Sequence, residues 1–236
     1  MRRVLIAKMG DTLPELRAQR GDYEGWIAER MGLARSDVEV VAVARGEPLP
    51  APESRAGVVI TGSSAMVSHR EPWSELTAEW LARAVEVGTP VLGICYGHQL
   101  LAHALGGEVG RNPRGREIGT VVVRSLDPAQ RDPLLGVWGD AEPAHVTHLE
   151  SVLALPAGAV RLAESDLDPV QAFSVGERAW GVQFHPEFDA ETARAYIAAR
   201  RDKMRAEGLD PDALLASVRD APGGQRLLRR FAALIR

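Results

Sequence analysis

Val91-Leu92-Gly93-Ile94-Cys95-Tyr96-Gly97-His98-Gln99 joins a continuous apolar run to a stretch with helical character, and its centre holds the one cysteine of the chain. A lone thiol has no partner for an internal disulfide, so its use must be sought in chemistry or packing. The spacing Gly-x-Cys-x-Gly is that of a nucleophile elbow, where a strand turns sharply into a helix and carries the reactive side chain at the apex. Glycines suit such a bend because larger side chains would collide there. The following helix would direct free N–H groups and its positive dipole end at the sulfur, favouring thiolate and any anion formed beside it. An inert buried thiol at a strand end is the alternative, and the flanking glycines weigh against it.

Outward from this stretch, apolar runs at residues 4–7, 38–44, 57–61 and 90–94 read as strands. They are continuous rather than alternating, which is the pattern of parallel strands covered by helices on both faces. Residues 23–31 and 74–87 have helical spacing, the second with Leu76, Trp80, Leu81 and Ala84 on one side. Residues 119–124, 144–148, 160–163, 170–175 and 179–184 read as strands joined by short turns, an antiparallel or mixed extension. Helices are expected from 190 to about 207, over 211–218 and over 225–235, with Pro222-Gly223-Gly224 between the last two. Residues 46–54, with three prolines, read as a surface loop. The expected organisation is one α/β domain over 1–188 with a helical extension, 189–236, packed on it.

With 236 residues, 45% hydrophobic and 25% charged, the chain has the composition of an ordinary globular protein. Its net charge of -4 supplies no overall basic field for nucleic acid or anionic lipid. Arg2-Arg3-Val4-Leu5-Ile6-Ala7-Lys8 is too short for a secretory leader, and no run approaches the ~18 apolar residues of a membrane span. A reducing, cytoplasmic location is therefore expected. Neither a metal nor a nucleotide cofactor is expected, since no Cys/His cluster, Walker loop or Gly-x-Gly-x-x-Gly stretch occurs.

A cysteine nucleophile needs an imidazole oriented by a third polar group. Of six histidines, His69 falls in a polar loop, His98 and His103 on the helix after the elbow, and His145 and His148 on a strand. His185 is different. It ends the run Trp180-Gly181-Val182-Gln183-Phe184 and is followed by Pro186 and Glu187, so an imidazole and a carboxylate leave one strand end together. In open α/β sheets, sites gather at the carboxyl ends of strands.

Gly93-Ile94-Cys95-Tyr96-Gly97-His98-Gln99 together with Gly181-Val182-Gln183-Phe184-His185-Pro186-Glu187 closely resembles the class I, triad-type glutamine amidotransferases, in particular the glutaminase portion of GMP synthases. Ile60-Thr61-Gly62-Ser63 resembles the family's oxyanion loop, and Leu105-Gly106-Gly107 also fits. The resemblance runs from Val4 to Phe188. It implies a flavodoxin-like, doubly wound, mostly parallel sheet with an antiparallel extension and, outside the resemblance, a C-terminal helical tail. It also implies that Cys95 attacks the side-chain amide of glutamine, with His185 as base and acid and Glu187 holding the imidazole. Gly62 and Tyr96 would supply oxyanion donors, and Gln99, His148 and Leu149 would border the substrate. His148 could equally be a packing histidine. Leu149 and Glu150 depart from the family's usual Gly-Asp, so another γ-glutamyl compound is an alternative substrate.

Arg111, Arg114, Arg116 and Arg124, and Lys203 with the tail arginines, are expected to be solvated charges, the alternative for the first group being a site for an acidic acceptor or partner. No Ser-Gly-Gly-x-Asp-Ser stretch of an ATP pyrophosphatase occurs. The expected protein is thus a stand-alone amidotransferase-like hydrolase, with a synthetase partner in trans as one arrangement. A γ-glutamyl peptidase and a catalytically silent binding subunit are the alternatives.

Overall fold

The structure, a computed structural model, describes residues 2–235. The chain runs β1 (Val4–Lys8), α1 (Pro14–Arg20), α2 (Tyr23–Met31), β2 (Val38–Ala42), β3 (Gly57–Ile60), α3 (Pro72–Glu86), β4 (Val91–Ile94) and α4 (Tyr96–Ala104). It continues through β5 (Glu108–Arg111), β6 (Glu117–Ser125), β7 (Ala141–His148), β8 (Glu150–Ala154), β9 (Ala159–Glu164), β10 (Ala172–Val175) and β11 (Ala179–Val182). Four helices follow: α5 (Ala190–Ala199), α6 (Arg201–Ala206), α7 (Pro211–Ser217) and α8 (Gly223–Leu234).

Nine strands form one sheet in the order β2-β1-β3-β4-β11-β10-β9-β6-β7. The first five are parallel and have the 2-1-3-4-5 order of a flavodoxin-like sheet; the last four are joined to them and to one another antiparallel. β5 and β8 pair separately as a small antiparallel ribbon. The ribbon was not foreseen, because Glu108-Val109-Gly110-Arg111 is short, polar and half-exposed. Nor was α1, although Pro14 at its first turn is a regular helix-start signal.

The continuous apolar strands divide by parity. Val4, Ile6, Val59, Leu92 and Ile94 face a cluster completed by α1, α2 and α8, whereas Leu5, Ala7, Val58, Ile60 and Val91 face α3 and α4. Helices on both faces explain why neither parity is polar. On α3 the buried side is Ser74, Thr77, Ala78, Leu81 and Ala84; Leu76 is 66% exposed, contrary to the sequence expectation. That helix buries small residues because it packs close to α4.

The tail belongs to the same interior. Leu227, Leu228 and Phe231 of α8 are fully buried beside Trp180, and each apolar side chain so buried contributes roughly 1.5–3 kcal/mol. Ala190, Ala193 and Ile197 of α5 and Met204 of α6 cover Ile118 of β6 in a third cluster. The single helix expected from 190 to about 207 is interrupted at Arg200, whose φ of -110° and ψ of 10° leave the helical region between α5 and α6. No glycine or proline marks this interruption in the sequence.

Candidate active site

Three strand ends meet where the parallel sheet's C-terminal edge faces the tail: β3 delivers Gly62, β4 delivers Cys95 and β11 delivers His185. Cys95 has φ 51° and ψ -100°, backbone geometry that a side-chain-bearing residue adopts only when its surroundings enforce it. The enforcement is visible. A Cβ on Gly93 would lie 2.3 Å from the Gly97 carbonyl oxygen, and one on Gly97 would lie 2.4 Å from that of Ile60. The two absent methyl groups let β3, β4 and α4 close around the thiol, while the Cys95 N–H donates to Val182 at 2.9 Å.

Tyr96 opens α4, so its N–H is among the helix donors without an intrahelical acceptor. Gly62 lies against both reactive groups: a Cβ there would stand 3.0 Å from His185 Cε1 and 3.8 Å from Cys95 Cβ.

His185 is anchored by its N–H, which donates to the His145 carbonyl at 2.8 Å. Its Nδ1 bonds Glu187 Oε1 at 2.7 Å, a contact in which the ring donates and the carboxylate accepts. Arg30 Nε in turn donates to the Glu187 carbonyl at 2.8 Å, and the Phe188 ring stacks on the imidazole with centroids 4.1 Å apart. Nε2 is buried and has no hydrogen-bond partner.

Burial opposes charge on both groups of the pair, yet their mutual attraction prevails. Burial pushes the Cys95 thiol up, but the His185 imidazolium more than offsets it and the thiol ends below its ordinary value. Burial likewise pushes His185 down, while the Glu187 carboxylate and then Cys95 raise it above the ordinary imidazole range. Such a pair can hold thiolate and imidazolium together.

His148 ends β7 as expected and is among the residues lining the cleft, but both of its ring nitrogens already have partners. Nε2 faces Glu117 Oε2 at 2.9 Å and Nδ1 faces the Glu150 carbonyl at 3.0 Å. Because both neighbours are acceptors, both nitrogens must carry protons, and Glu117 and Asp168 outweigh burial to raise the imidazole's pKa. Ser165 and Gln171 also donate to Glu117. Gln99 Nε2 donates to the same Glu150 carbonyl at 2.8 Å and to Gln183 Oε1 at 2.9 Å. Leu149, half-buried, lines the cleft directly above this network.

The cleft has two lobes that share Cys95, Ser63, Ser64, Thr147 and Arg200. One, about 200 Å³, is bordered by Gln99, Leu149 and Glu150; the other, about 180 Å³, by His185, Tyr23, Thr12 and Tyr196. A larger cavity of about 680 Å³ lies at the N-terminal ends of the parallel strands, near Arg55, Thr89 and Ile235, far from the thiol.

Two charge expectations need correction. Arg116 is buried and held bidentate by Glu207 at 2.7 and 3.0 Å, so it is not a solvated loop charge. Arg200 is half-buried and lines the cleft rather than forming part of one solvated helix face, whereas Lys203 is exposed as expected and borders the same cleft. Neither was visible in sequence, since the break that turns Arg200 inward has no local signal. Among the described residues no three His, Cys, Asp or Glu side chains converge as a metal site, and no helix is long and apolar enough to cross a membrane.

A left-handed cysteine between a parallel strand and a helix, beside a histidine and carboxylate from the neighbouring strand end, defines the class of α/β proteins built on a nucleophile elbow. Residues 21–202 match the family described as Glutamine amidotransferase class-I, and the chain belongs to that family. It is 38% identical over 175 residues to a glutamine-hydrolyzing GMP synthase of Aeropyrum pernix, covering 71% of this chain and 31% of that protein. It is 35% identical over 141 residues to Gamma-glutamyl peptidase 3 of Arabidopsis thaliana, covering 57% of this chain and 55% of that one. The chain thus spans about a third of the first relative and about half of the second. In fold it is similar to a glutamine amidotransferase of Thermotoga maritima, with a TM-score of 0.75 and 23% identity over 100% of this chain and 98% of that one.

Proposed function

We propose that the chain is a cysteine-nucleophile hydrolase of γ-glutamyl amides, with glutamine, which gives glutamate and ammonia, as the simplest substrate. The observation that carries this reading is the 2.7 Å His185–Glu187 bond beside a cysteine held in left-handed backbone. Cys95 sulfur bonds to the γ-carbonyl carbon, and the resulting oxyanion accepts from the N–H groups of Gly62 and Tyr96. His185 gives its proton to the departing nitrogen as the C–N bond breaks. Water, deprotonated by His185, then cleaves the thioester and frees glutamate. Glu187 stabilises the imidazolium throughout. Gln99 and Leu149 border the glutamyl group, and His148 fixes that wall.

The long extent of the Aeropyrum pernix relative beyond the matched stretch supports a synthetase partner in trans as one destination of the ammonia. A free reactive thiol also suits a reducing compartment such as the cytoplasm. Purified protein should release glutamate and ammonia from glutamine, alone or with a synthetase. Labelling of Cys95 by a glutamine-like electrophile without any such release would overturn glutamine as the substrate.

A second reading, a γ-glutamyl peptidase, has its own observations. The lobe beside His185 holds about 180 Å³, whereas a molecule the size of ammonia or water occupies about 30 Å³. Leu149 also stands where the family's common motif has glycine. Cleavage of γ-glutamyl peptides no faster than glutamine would remove this reading.

A further inference from the structure

The interruption between α5 and α6 places Arg200 where the two lobes of the cleft meet. Its guanidinium carbon lies 4.6 Å from the centroid of the Tyr196 ring, and that ring is itself held by hydroxyl bonds to Tyr23 at 2.5 Å and Thr12 at 2.8 Å. The planar group is therefore stacked in place before any ligand arrives. Nη1 is buried without a hydrogen-bond partner, and no carboxylate among the described residues pairs with the guanidinium. A buried guanidinium nitrogen without an acceptor is costly, and an anion or carbonyl placed there would supply one.

The other charges around the cleft are committed. Asp11 is bound by Lys8, Arg17 and Arg45, and Arg116 by Glu207. The buried Glu150 accepts from the Ser68 N–H. Lys203, on the turn after Arg200, borders the glutamyl-side lobe and has no ion-pair partner among the described residues. Two cations thus stand uncommitted at the mouth of a cleft whose His185-side lobe is several times larger than ammonia.

We propose that Arg200, supported by Lys203, is a specificity residue that binds a carboxylate carried by the leaving amine, so that the preferred substrates are γ-glutamyl amino acids and peptides. This rests on the γ-glutamyl amide hydrolysis proposed above. The bonds changed are the same: the C–N bond breaks, the His185 proton goes to the amine nitrogen, and water resolves the thioester. The leaving group sits on the His185 side because that imidazole must reach its nitrogen. An amino acid attached there extends its carboxylate toward Arg200, which offers a two-pronged donor set.

The test is the ratio of kcat/KM for γ-glutamyl-alanine over γ-glutamyl-ethylamide, which lacks only the carboxylate, with glutamine as a third substrate and glutamate release as the readout. The ratio should exceed about tenfold in the parent protein and collapse toward one in Arg200→Gln, with partial recovery in Arg200→Lys and a smaller loss in Lys203→Gln. Thermal melting and Cys95 alkylation check that each variant is folded. Equal losses on all three substrates in Arg200→Gln would overturn the assignment, because Arg200 would then serve the glutamyl half or the fold. A parent ratio near one would overturn it as well, while leaving the hydrolysis itself standing. Failure of the folded parent protein to release glutamate from any of the three would remove the hydrolase reading and this inference together.

Discussion

His185 and His148 are both buried and both bonded to a carboxylate, at 2.7 Å to Glu187 and 2.9 Å to Glu117, yet only the first keeps a ring nitrogen without a partner. His148 has an acceptor at each nitrogen, so it can neither lose nor receive a proton without breaking a bond. His185 can pass its Nε2 proton without disturbing Nδ1. The same two residue types thus give one pair suited to proton transfer and one suited to bracing, and the difference lies in what faces the second nitrogen. A third situation is found in His98, which faces no side-chain partner, packs against the Phe173 ring and has its pKa lowered by burial to about 4.

The largest expected effect concerns the group that only the first pair serves. Cys95→Ala should lower glutamate release by about 10⁴-fold or more with an unchanged melting temperature, because the proposed mechanism draws its bond-forming atom from this residue and the change removes one atom. Within the pair, Glu187→Gln should cost less than His185→Ala, roughly 10²- to 10⁴-fold. Glu187 is the leading raising influence on His185, so Glu187→Gln should also move the alkaline limb of the pH–rate profile to lower pH. Equal losses, or an unmoved limb, would mean that Glu187 does not hold the imidazolium.

Glu117→Gln should act in the other currency, destabilising the fold by about 3 kcal/mol in urea denaturation because it removes the nearer of the two carboxylates that face a buried imidazolium, leaving only Asp168 at 3.8 Å. A variant as stable as the parent would show that His148 is neutral and that the two pairs differ less than their geometry indicates. The smallest effect comes from His98. Its folded pKa of about 4 lies below the ordinary 6.5, so the unfolded chain binds the extra proton between those values. Stability on its account is full above about pH 6.5 and falls by about 3 kcal/mol as pH drops to 4. His98→Gln should flatten that slope.

The parallel half of the fold and the Cys95–His185–Glu187 group were legible because each rests on short, contiguous signals: apolar runs such as Gly57-Val58-Val59-Ile60, an elbow between glycines, and an imidazole and carboxylate two residues apart. What the sequence hid depends on distant partners. Glu117 lies in no recognisable motif and meets His148 only through the β6–β7 register. The interruption at Arg200 lacks any helix-breaking residue, and Arg116 was misread because its partner, Glu207, lies in the tail. Leu76 was misread for a related reason: helical periodicity locates a face, but the close approach of α3 and α4 selected its small residues for burial.

The elbow sets the direction of the sulfur by contacts among backbone atoms. The close packing of Gly93 on Gly97 and of Gly97 on Ile60 has main-chain carbonyl groups at its centre, with the Ile60 side chain beside the second. Leu149 and Arg200, by contrast, line the cleft from segments of the chain away from the elbow. The aim of the sulfur and the shape of the cleft are therefore separable by mutation. A lineage, or an experimenter, can exchange the walls one residue at a time and keep the same thiol trained on the same spot.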